Sequence, residues 1–109
     1  MVSITSRRRN YIFRAISDPS RREILDILRS GQQTAGGIAQ NFRMSRPAIS
    51  KHLRVLHSAG LVLTRRHGNQ TLCRLNGQPL HAVSDWVRGY ELFWKESLRS
   101  LKQHMEDEE

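Results

Sequence analysis

Apolar residues recur at helical spacing through the first part of the chain. One stripe begins after Asp18-Pro19 and stops before Gly31. Aspartate caps helix starts, proline suits the first helical turn and glycine commonly follows a helix, so a helix is predicted over about residues 19–30. A shorter stripe in residues 11–16 predicts a small helix in front of it.

The next two stripes predict a pair of helices joined by a short turn. Thr34 can cap the first of them, which is expected to continue to about Phe42. The second lies between Ser45, another capping residue, and Gly60, which supplies a left-handed stop. Its apolar face consists of Ile49, Leu53 and Leu56. This arrangement is typical of a helix-turn-helix.

After Gly60 the pattern becomes that of a β-hairpin. Residues 61–66 and 71–75 are strand candidates, and Gly68-Asn69 between them can supply a tight turn. Because the hairpin follows the helix pair directly and has a polar tip, it is predicted to be a wing that lies along phosphates or enters a minor groove.

One long helix is predicted from Leu80 to about Asp107. Its apolar stripe repeats at spacings of 4 and 3 and is larger than a small domain can cover, so a two-fold dimer formed with the first helix is expected. The stripe consists of Val83, Val87, Tyr90, Trp94, Leu98, Leu101 and Met105. The residues predicted for the dimer interface are Ile12, Phe13, Val83, Trp86, Val87, Tyr90, Phe93, Trp94, Leu98 and Leu101.

Charge is distributed unevenly along the 109 residues, which carry 18 Lys+Arg, 10 Asp+Glu and a net charge of +8. Residues 1–76 hold 14 basic and 3 acidic side chains, whereas residues 77–109 hold 4 basic and 7 acidic ones. No acidic residue lies between Asp26 and Asp85. A solvated surface usually mixes both signs, so double-stranded DNA is the predicted partner of the basic part.

The outward face of the second helix in the pair suits a major groove, because it offers guanidinium, ammonium and hydroxyl groups and no carboxylate. Arg46 can form paired hydrogen bonds with guanine, and Pro47 can contact a thymine methyl group. The predicted DNA contacts are Thr34, Ser45, Arg46, Pro47, Ser50, Lys51, His52 and Arg54, followed in the hairpin by Arg65, Arg66, His67, Asn69 and Gln70.

The elements predict a mainly helical α+β domain, a winged helix-turn-helix with five helices and a two-stranded hairpin, dimerising through its first and last helices. Residues 11–109 are expected to form this single domain, with 11–76 as the DNA-binding core and 77–109 as the long dimerisation helix. Residues 1–10, which include three consecutive arginines, are predicted to be a flexible basic N-terminus.

Several classes of function are not expected. Cys73 is the only cysteine, which excludes an internal disulfide and is typical of a reducing cytoplasm. No apolar run approaches the ~20 residues that span a bilayer, so no membrane partner is expected. A glycine-rich phosphate loop, paired central carboxylates and a Ser–His–Asp ordering are absent, so neither an enzyme nor a cofactor is expected.

Three segments, in order, resemble the ArsR/SmtB family of winged helix-turn-helix repressors. The three segments are residues 15–25, which begin Ala-Ile-Ser-Asp-Pro, residues 34–39 and residues 45–62. The similarity as a whole spans roughly residues 13–75. The resemblance implies a homodimer that represses transcription from an inverted-repeat operator in the cytoplasm of a bacterium or archaeon.

Many members of that family sense metals, and this chain departs from their pattern. The Cys-X-Cys of their thiolate site is missing, with Ala35, Gly36 and Gly37 in that region. His81 with Asp85, and His104 with Asp107, are isolated pairs without the rest of a tetrahedral set. The metal-independent, autorepressor-type branch is the closer match, so no metal is expected and the effector is unknown.

Three alternatives stay open at this point. A sequence-tolerant architectural DNA binder needs only the positive charge, and it would bind operator and random DNA almost equally well. A metal-responsive repressor would share its site across the dimer. A protein-interaction module would use the long aromatic helix on a different partner, in a complex that excludes DNA.

Overall fold

The computed structural model describes residues 4–108, and within this range the chain forms five α-helices and a three-stranded antiparallel sheet. The helices are α1 (Ile4–Ile16), α2 (Pro19–Leu28), α3 (Ala35–Ala39), α4 (Arg46–Ser58) and α5 (His81–Asp107). The strands are β1 (Gln33–Thr34), β2 (Val62–His67) and β3 (Gln70–Leu75), and a 3-10 turn at Gln78–Leu80 precedes α5. The predicted winged helix-turn-helix fold is therefore confirmed.

The helices α2 and α4 begin where their capping residues predict. The Asp18 carboxylate accepts a hydrogen bond from the backbone N–H of Arg21 at 3.0 Å, and the Ser45 hydroxyl accepts one from Ala48 at 3.3 Å. Each helix has proline in its first turn, where a missing N–H is harmless. Gly60 follows α4 with φ +77°, a left-handed conformation that glycine adopts without strain.

The cap of α2 leads to a prediction about acid stability. The hydrogen bond from the backbone of Arg21 lowers the pKa of Asp18 and outweighs partial burial, which raises it. The carboxylate therefore stabilises the fold above its unfolded-state pKa, and this contribution is lost as the pH falls through the folded-state pKa. Asp18→Ala should lower the free energy of unfolding by about 1 kcal/mol at pH 7 and by less at pH 3. Urea unfolding at both pH values measures this, and an equal loss at both would contradict it.

The sheet has one strand more than predicted. β1 pairs with the middle strand β3, with Gln33 opposite Cys73 and Thr34 opposite Leu72. The two-residue strand has no alternating pattern of its own and depends on a partner far along the chain. The wing is consequently attached to the loop that precedes α3.

The first helix is longer than the sequence predicted. α1 begins at Ile4 instead of near Tyr11, so the part of the expected flexible N-terminus that the structure describes is helical. Arginine has good helix propensity and neither glycine nor proline interrupts the segment, which explains why the helix continues through the three arginines. Residues 1–3 of that predicted segment lie outside the described residues.

The third helix is shorter than predicted, ending at Ala39 and not near Phe42. Two glycines lower its helix propensity. The Asn41 side-chain amide donates to the carbonyl oxygens of Gly37 and Ile38, at 3.1 and 3.3 Å, and so satisfies groups at the end of the helix. The chain then turns directly into the cap of α4.

The core lies between the first four helices and the sheet. The fully buried large side chains are Ile24, Ile38, Ile49, Leu56, Leu61, Val62 and Cys73. Ile12 of α1 is also buried within the single chain, only 7% exposed. Its side chain already packs inside its own domain, and its place in a dimer interface stays a prediction.

The last helix extends well beyond this core. α5 packs against α1 and the 3-10 turn, where the Phe13 and Trp86 rings meet edge-to-face with centroids 5.5 Å apart. Its 27 residues give the molecule a longest dimension of 67 Å. Exposed large apolar residues along it are Trp86, Tyr90, Leu92, Phe93, Trp94, Leu98, Leu101 and Met105. A single chain therefore leaves an extensive apolar face uncovered.

Candidate nucleic-acid interface

The two faces of α4 differ sharply in chemistry. Ile49, Leu53 and Leu56 are buried in the core, which fixes the rotation of the helix about its axis. The polar residues predicted to contact DNA are consequently directed away from the core, and no acidic residue stands among them. The exposed ones on or next to α4 are Ser45, Arg46, Pro47, Ser50, Lys51 and Arg54.

Arg46 lies at the junction of three elements. A Cβ atom placed on Gly36 would be 3.6 Å from the Arg46 Nη1 atom, so the guanidinium lies over the beginning of α3. A shallow depression at this point is lined by Thr34, Arg46 and Gln70, among others. The fold thus brings together predicted contacts from the loop before α3, from α4 and from the wing. Their hydroxyl, guanidinium and amide groups can all donate hydrogen bonds to one acceptor.

The tip of the wing is exposed to solvent. His67 pairs with Gln70 across a two-residue turn, and Gly68 has φ +63°, as the turn type requires. The Arg66 guanidinium donates to the Thr71 hydroxyl across the hairpin at 3.3 Å. All five predicted wing contacts are exposed, namely Arg65, Arg66, His67, Asn69 and Gln70.

The hydroxyl groups of Thr34 and Ser45, which cap α3 and α4, can still donate a hydrogen bond to a ligand. Thr34 Oγ1 accepts from the backbone N–H of Gly37 at 2.9 Å, and Ser45 Oγ accepts from Ala48. A hydroxyl that accepts through oxygen can still donate its hydrogen. Ser45 is exposed and Thr34 is half-buried, so both can donate to an oxygen that approaches the interface.

His52 differs from the other residues predicted to contact DNA. Its side chain is 21% exposed and its Nδ1 lies 3.2 Å from the Arg21 guanidinium and 3.9 Å from the Asp18 carboxylate. An arginine always donates, so Nδ1 accepts this hydrogen bond. The ring is directed towards α2, and the contact of His52 with a phosphate stays a prediction.

Arg21, which positions α4, was not among the functional residues predicted from the sequence. Its guanidinium donates to the carbonyl oxygens of Ala15 and Arg14, at 2.7 and 3.0 Å, and also reaches His52. Arg21 therefore connects the end of α1 and the cap of α2 to His52 of α4. No spacing signal could reveal this connection, since Arg21 and His52 are 31 residues apart.

The described part of the chain contains few other groups that could bind a metal or react chemically. No group of three or more His, Cys, Asp or Glu side chains that could hold a metal occurs among residues 4–108. Asp85 instead lies 3.5 Å from Arg88, and His104 lies 3.2 Å from Glu108. Burial raises the pKa of the Cys73 thiol, which keeps it protonated and unreactive. Of the helices described, none has the length and apolarity to cross a bilayer.

Sequence comparison identifies related regulators. Residues 18–64 match the family model described as bacterial regulatory protein, arsR family. The transcriptional repressor SdpR of Bacillus subtilis is 42% identical over 81 residues, which cover 74% of this chain and 90% of that protein. These matches are to regulators, in agreement with the expectation that the chain is not an enzyme.

Solved structures support the same relationship. The ArsR-like transcriptional regulator from Rhodococcus sp. RHA1 superposes with a TM-score of 0.74 at 32% identity, over 98% of both chains. The homodimeric winged helix-turn-helix DNA-binding domain Mb0332 of Mycobacterium bovis, described as a possible ArsR-family regulator, gives a TM-score of 0.64 at 29% identity. That superposition covers 79% of this chain and 82% of the other.

Proposed function

The chain belongs to the ArsR family of bacterial regulatory proteins, and from this premise we propose that it is a homodimeric repressor acting in the cytoplasm. It binds an inverted-repeat operator in double-stranded DNA and represses transcription by occupying the promoter. The observation that carries the proposal is the exposed, acid-free face of α4 beside an equally basic wing.

The proposed roles follow from the position of each side chain. The first turns of α4 enter the major groove, where Arg46 and Ser50 meet base edges and Lys51 and Arg54 meet phosphates. The tip of the wing follows the adjacent backbone. Arg21 and His52 contact each other and hold α4 in its orientation.

A dimer places two such surfaces on one duplex. The apolar face of α5 supports dimer formation, as does the homodimeric state stated for the related Mycobacterium bovis domain. Two-fold symmetry presents the recognition helices to half-sites about 34 Å apart, one helical turn of DNA. The operator is therefore an inverted repeat with that spacing.

The proposal is tested by selecting bound sequences from random duplexes. Purified protein without added metal is used at about 150 mM salt, where non-specific phosphate binding is already weakened. Enrichment of an inverted repeat with half-sites one helical turn apart supports the proposal. Retention of DNA without enrichment would overturn it in favour of an architectural binder, and failure to retain DNA would exclude both.

A charge-matched pair of variants tests the assignment of α4. Lys51→Ala should reduce the slope of log affinity against log salt by about 0.9 per half-site, because each lost phosphate contact releases one counterion fewer. Lys102→Ala removes the same charge from the exposed surface of α5 and should leave the slope unchanged. Fluorescence anisotropy with labelled operator over a range of salt concentrations measures both. Equal slopes for the two variants would contradict the assignment.

A further inference from the structure

A groove lies between α1, the end of α4 and the first half of α5. Its volume is about 1090 Å³, which is enough room for a drug-sized molecule. Its lining includes Arg8 and Tyr11 of α1, Ser58 of α4, and Trp86 and Gly89 of α5. None of these residues is among the predicted DNA contacts, so the groove is separate from the surface proposed to read DNA.

Gly89 is the lining residue that the chain itself does not explain. It lies inside α5, where glycine is the least favourable residue after proline. Its φ is not positive, and a Cβ atom placed on it would have no heavy atom within 4 Å beyond its chain neighbours and its own helix backbone. Neither backbone conformation nor crowding within the described chain requires glycine here. A glycine in such a position allows another molecule to approach the helix backbone closely.

The apolar stripe of α5, on which a second copy is predicted to pack, does not include Gly89. At about 100° per residue, Gly89 lies about 140° around the helix from Trp94 and about 160° from Val87. It therefore faces the groove and not the middle of the stripe. The backbone at Gly89 is accessible to a molecule other than α5 of a partner.

The groove has an aromatic wall that is already ordered within the single chain. The Trp86 ring meets Phe13 on one side and Tyr90 on the other, edge-to-face, with centroids 5.5 and 5.4 Å apart. Trp86 and Tyr90 are nevertheless about half exposed, at 48% and 47%. An apolar body can therefore cover these rings without displacing them from their contacts.

The floor of the groove is the end of α4, which is fixed to the segment before α5. The Asn76 side-chain amide donates to the Gly60 carbonyl oxygen at 2.9 Å. A Cβ atom placed on Gly60 would be 3.6 Å from the Pro79 side chain. A molecule in the groove consequently touches one end of the helix that carries the predicted DNA contacts at its other end.

The groove also offers a positive charge without a partner. Within residues 4–108, the exposed Arg8 guanidinium forms no ion pair and no hydrogen bond. Among the described residues, Asp85 is the acidic side chain that lines the groove, and it lies 3.5 Å from Arg88. An uncompensated guanidinium beside an aromatic wall suits an anionic group carried on an apolar body.

We propose that the groove binds an amphipathic organic anion that acts as an effector. The apolar body of the ligand lies on Trp86 and Tyr90, close to the backbone of Gly89, and its carboxylate, sulfonate or phosphate group pairs with Arg8. Because the ligand contacts the end of α4, its binding changes the affinity for the operator. The binding site stands by itself, whereas the effector role rests on the proposed function.

A charge-matched pair of variants tests the anion site with anilinonaphthalene sulfonate, an aromatic anion whose fluorescence rises in an apolar environment. Arg8→Gln should weaken the binding of this probe about tenfold, because one charge-assisted hydrogen bond is lost. Arg7→Gln removes the same charge from an exposed neighbour that does not line the groove, and it should change the affinity by less than about twofold. Fluorescence titration measures both variants.

A second pair of variants tests the groove itself. Gly89→Leu places a side chain in the groove and should abolish probe binding. Gly77→Leu adds the same side chain outside the groove lining, at an exposed position whose Cβ also meets nothing within 4 Å, and should change the affinity by less than about twofold. Circular dichroism verifies that both variants are folded.

Other results overturn the site. Equal weakening by Arg7→Gln and Arg8→Gln would show attraction to the general charge of α1. Equally tight binding of phenylnaphthylamine, which has the same rings and no sulfonate, would show an apolar site. Unchanged binding to Gly89→Leu would place the probe elsewhere on the surface. Failure of wild-type protein to bind the probe would also overturn the site, and a weaker dimer of Gly89→Leu in sedimentation equilibrium would then identify the second copy as the occupant.

Operator binding separates the effector role from the site. Saturating probe is expected to change the operator affinity of wild-type protein at least about fivefold and that of Gly89→Leu by less than about twofold. An unchanged affinity in wild-type protein would overturn the effector role alone. Failure of wild-type protein to bind any operator without the probe would overturn the proposed function and with it the effector role, while the titrations still decide whether the groove binds the anion.

Discussion

Leu98→Glu is expected to dissociate the dimer and to lower operator affinity at least about a hundredfold. The side chain is 67% exposed in a single chain and lies in the middle of the apolar stripe of α5. Dimer formation would bury two unpaired carboxylates, at a cost of several kcal/mol, and every 1.4 kcal/mol corresponds to a tenfold change in affinity. Sedimentation equilibrium measures the association, and anisotropy with labelled operator measures the affinity.

The chain offers a closely matched control for this variant. Leu92 has nearly the same exposure, 65%, and lies on the opposite, polar face of α5. Leu92→Glu introduces the same charge into the same helix and should leave both the dimer and the operator affinity unchanged. If both variants dissociated, the added negative charge would act regardless of its position on α5. If neither variant dissociated, the apolar stripe would not be the interface.

Leu56→Ala is expected to reduce the free energy of unfolding by about 2–5 kcal/mol. The Leu56 side chain is completely buried where α4 packs on the core, so its removal leaves a cavity that the surrounding helices fill only in part. A domain of this size has about 5–15 kcal/mol of stability, so the loss is a large fraction of the total. Urea unfolding followed by circular dichroism measures it.

Ser58→Ala, in the exposed last turn of the same helix, is the control and should change the stability by less than about 0.5 kcal/mol. At temperatures where Leu56→Ala is still folded, it should bind the operator, because its contact residues are unchanged. A small stability loss for Leu56→Ala would mean that α4 is not held by the core as the structure describes.

The sequence predicted elements best where local chemistry determines their ends. α2 begins at an aspartate followed by proline, and α4 at a serine with proline in its first turn, so their starts depend on neighbouring residues only. The same holds for the wing, whose two-residue turn needs a glycine with positive φ at Gly68. In each case the capping, proline or glycine residue that gives the signal lies within a few residues of the helix start or turn that it determines.

The elements that the sequence did not predict depend on distant partners or on weak local preferences. β1 exists only because Gln33 and Thr34 pair with a strand some forty residues later. The early start of α1 and the early end of α3 reflect propensities too small to be decisive in a single sequence.

In the candidate site too, the features determined by local sequence were predicted, and those that depend on distant residues were not. The buried stripe of α4 correctly indicated which residues are exposed, because helical periodicity determines both faces together. His52 was the exception, since its environment depends on Arg21, which lies far away in the sequence. The DNA contacts themselves stay predictions, as does the dimer interface.

The short strand β1 also has a mechanical consequence. By pairing with β3, the central strand of the sheet, β1 connects the segment before α3 to the wing through backbone hydrogen bonds. This pairing restricts movement of the hairpin relative to the helix-turn-helix. In the proposed dimer, an adjustment to the separation of half-sites would therefore take place between the two copies, where α1 and α5 are predicted to form the interface.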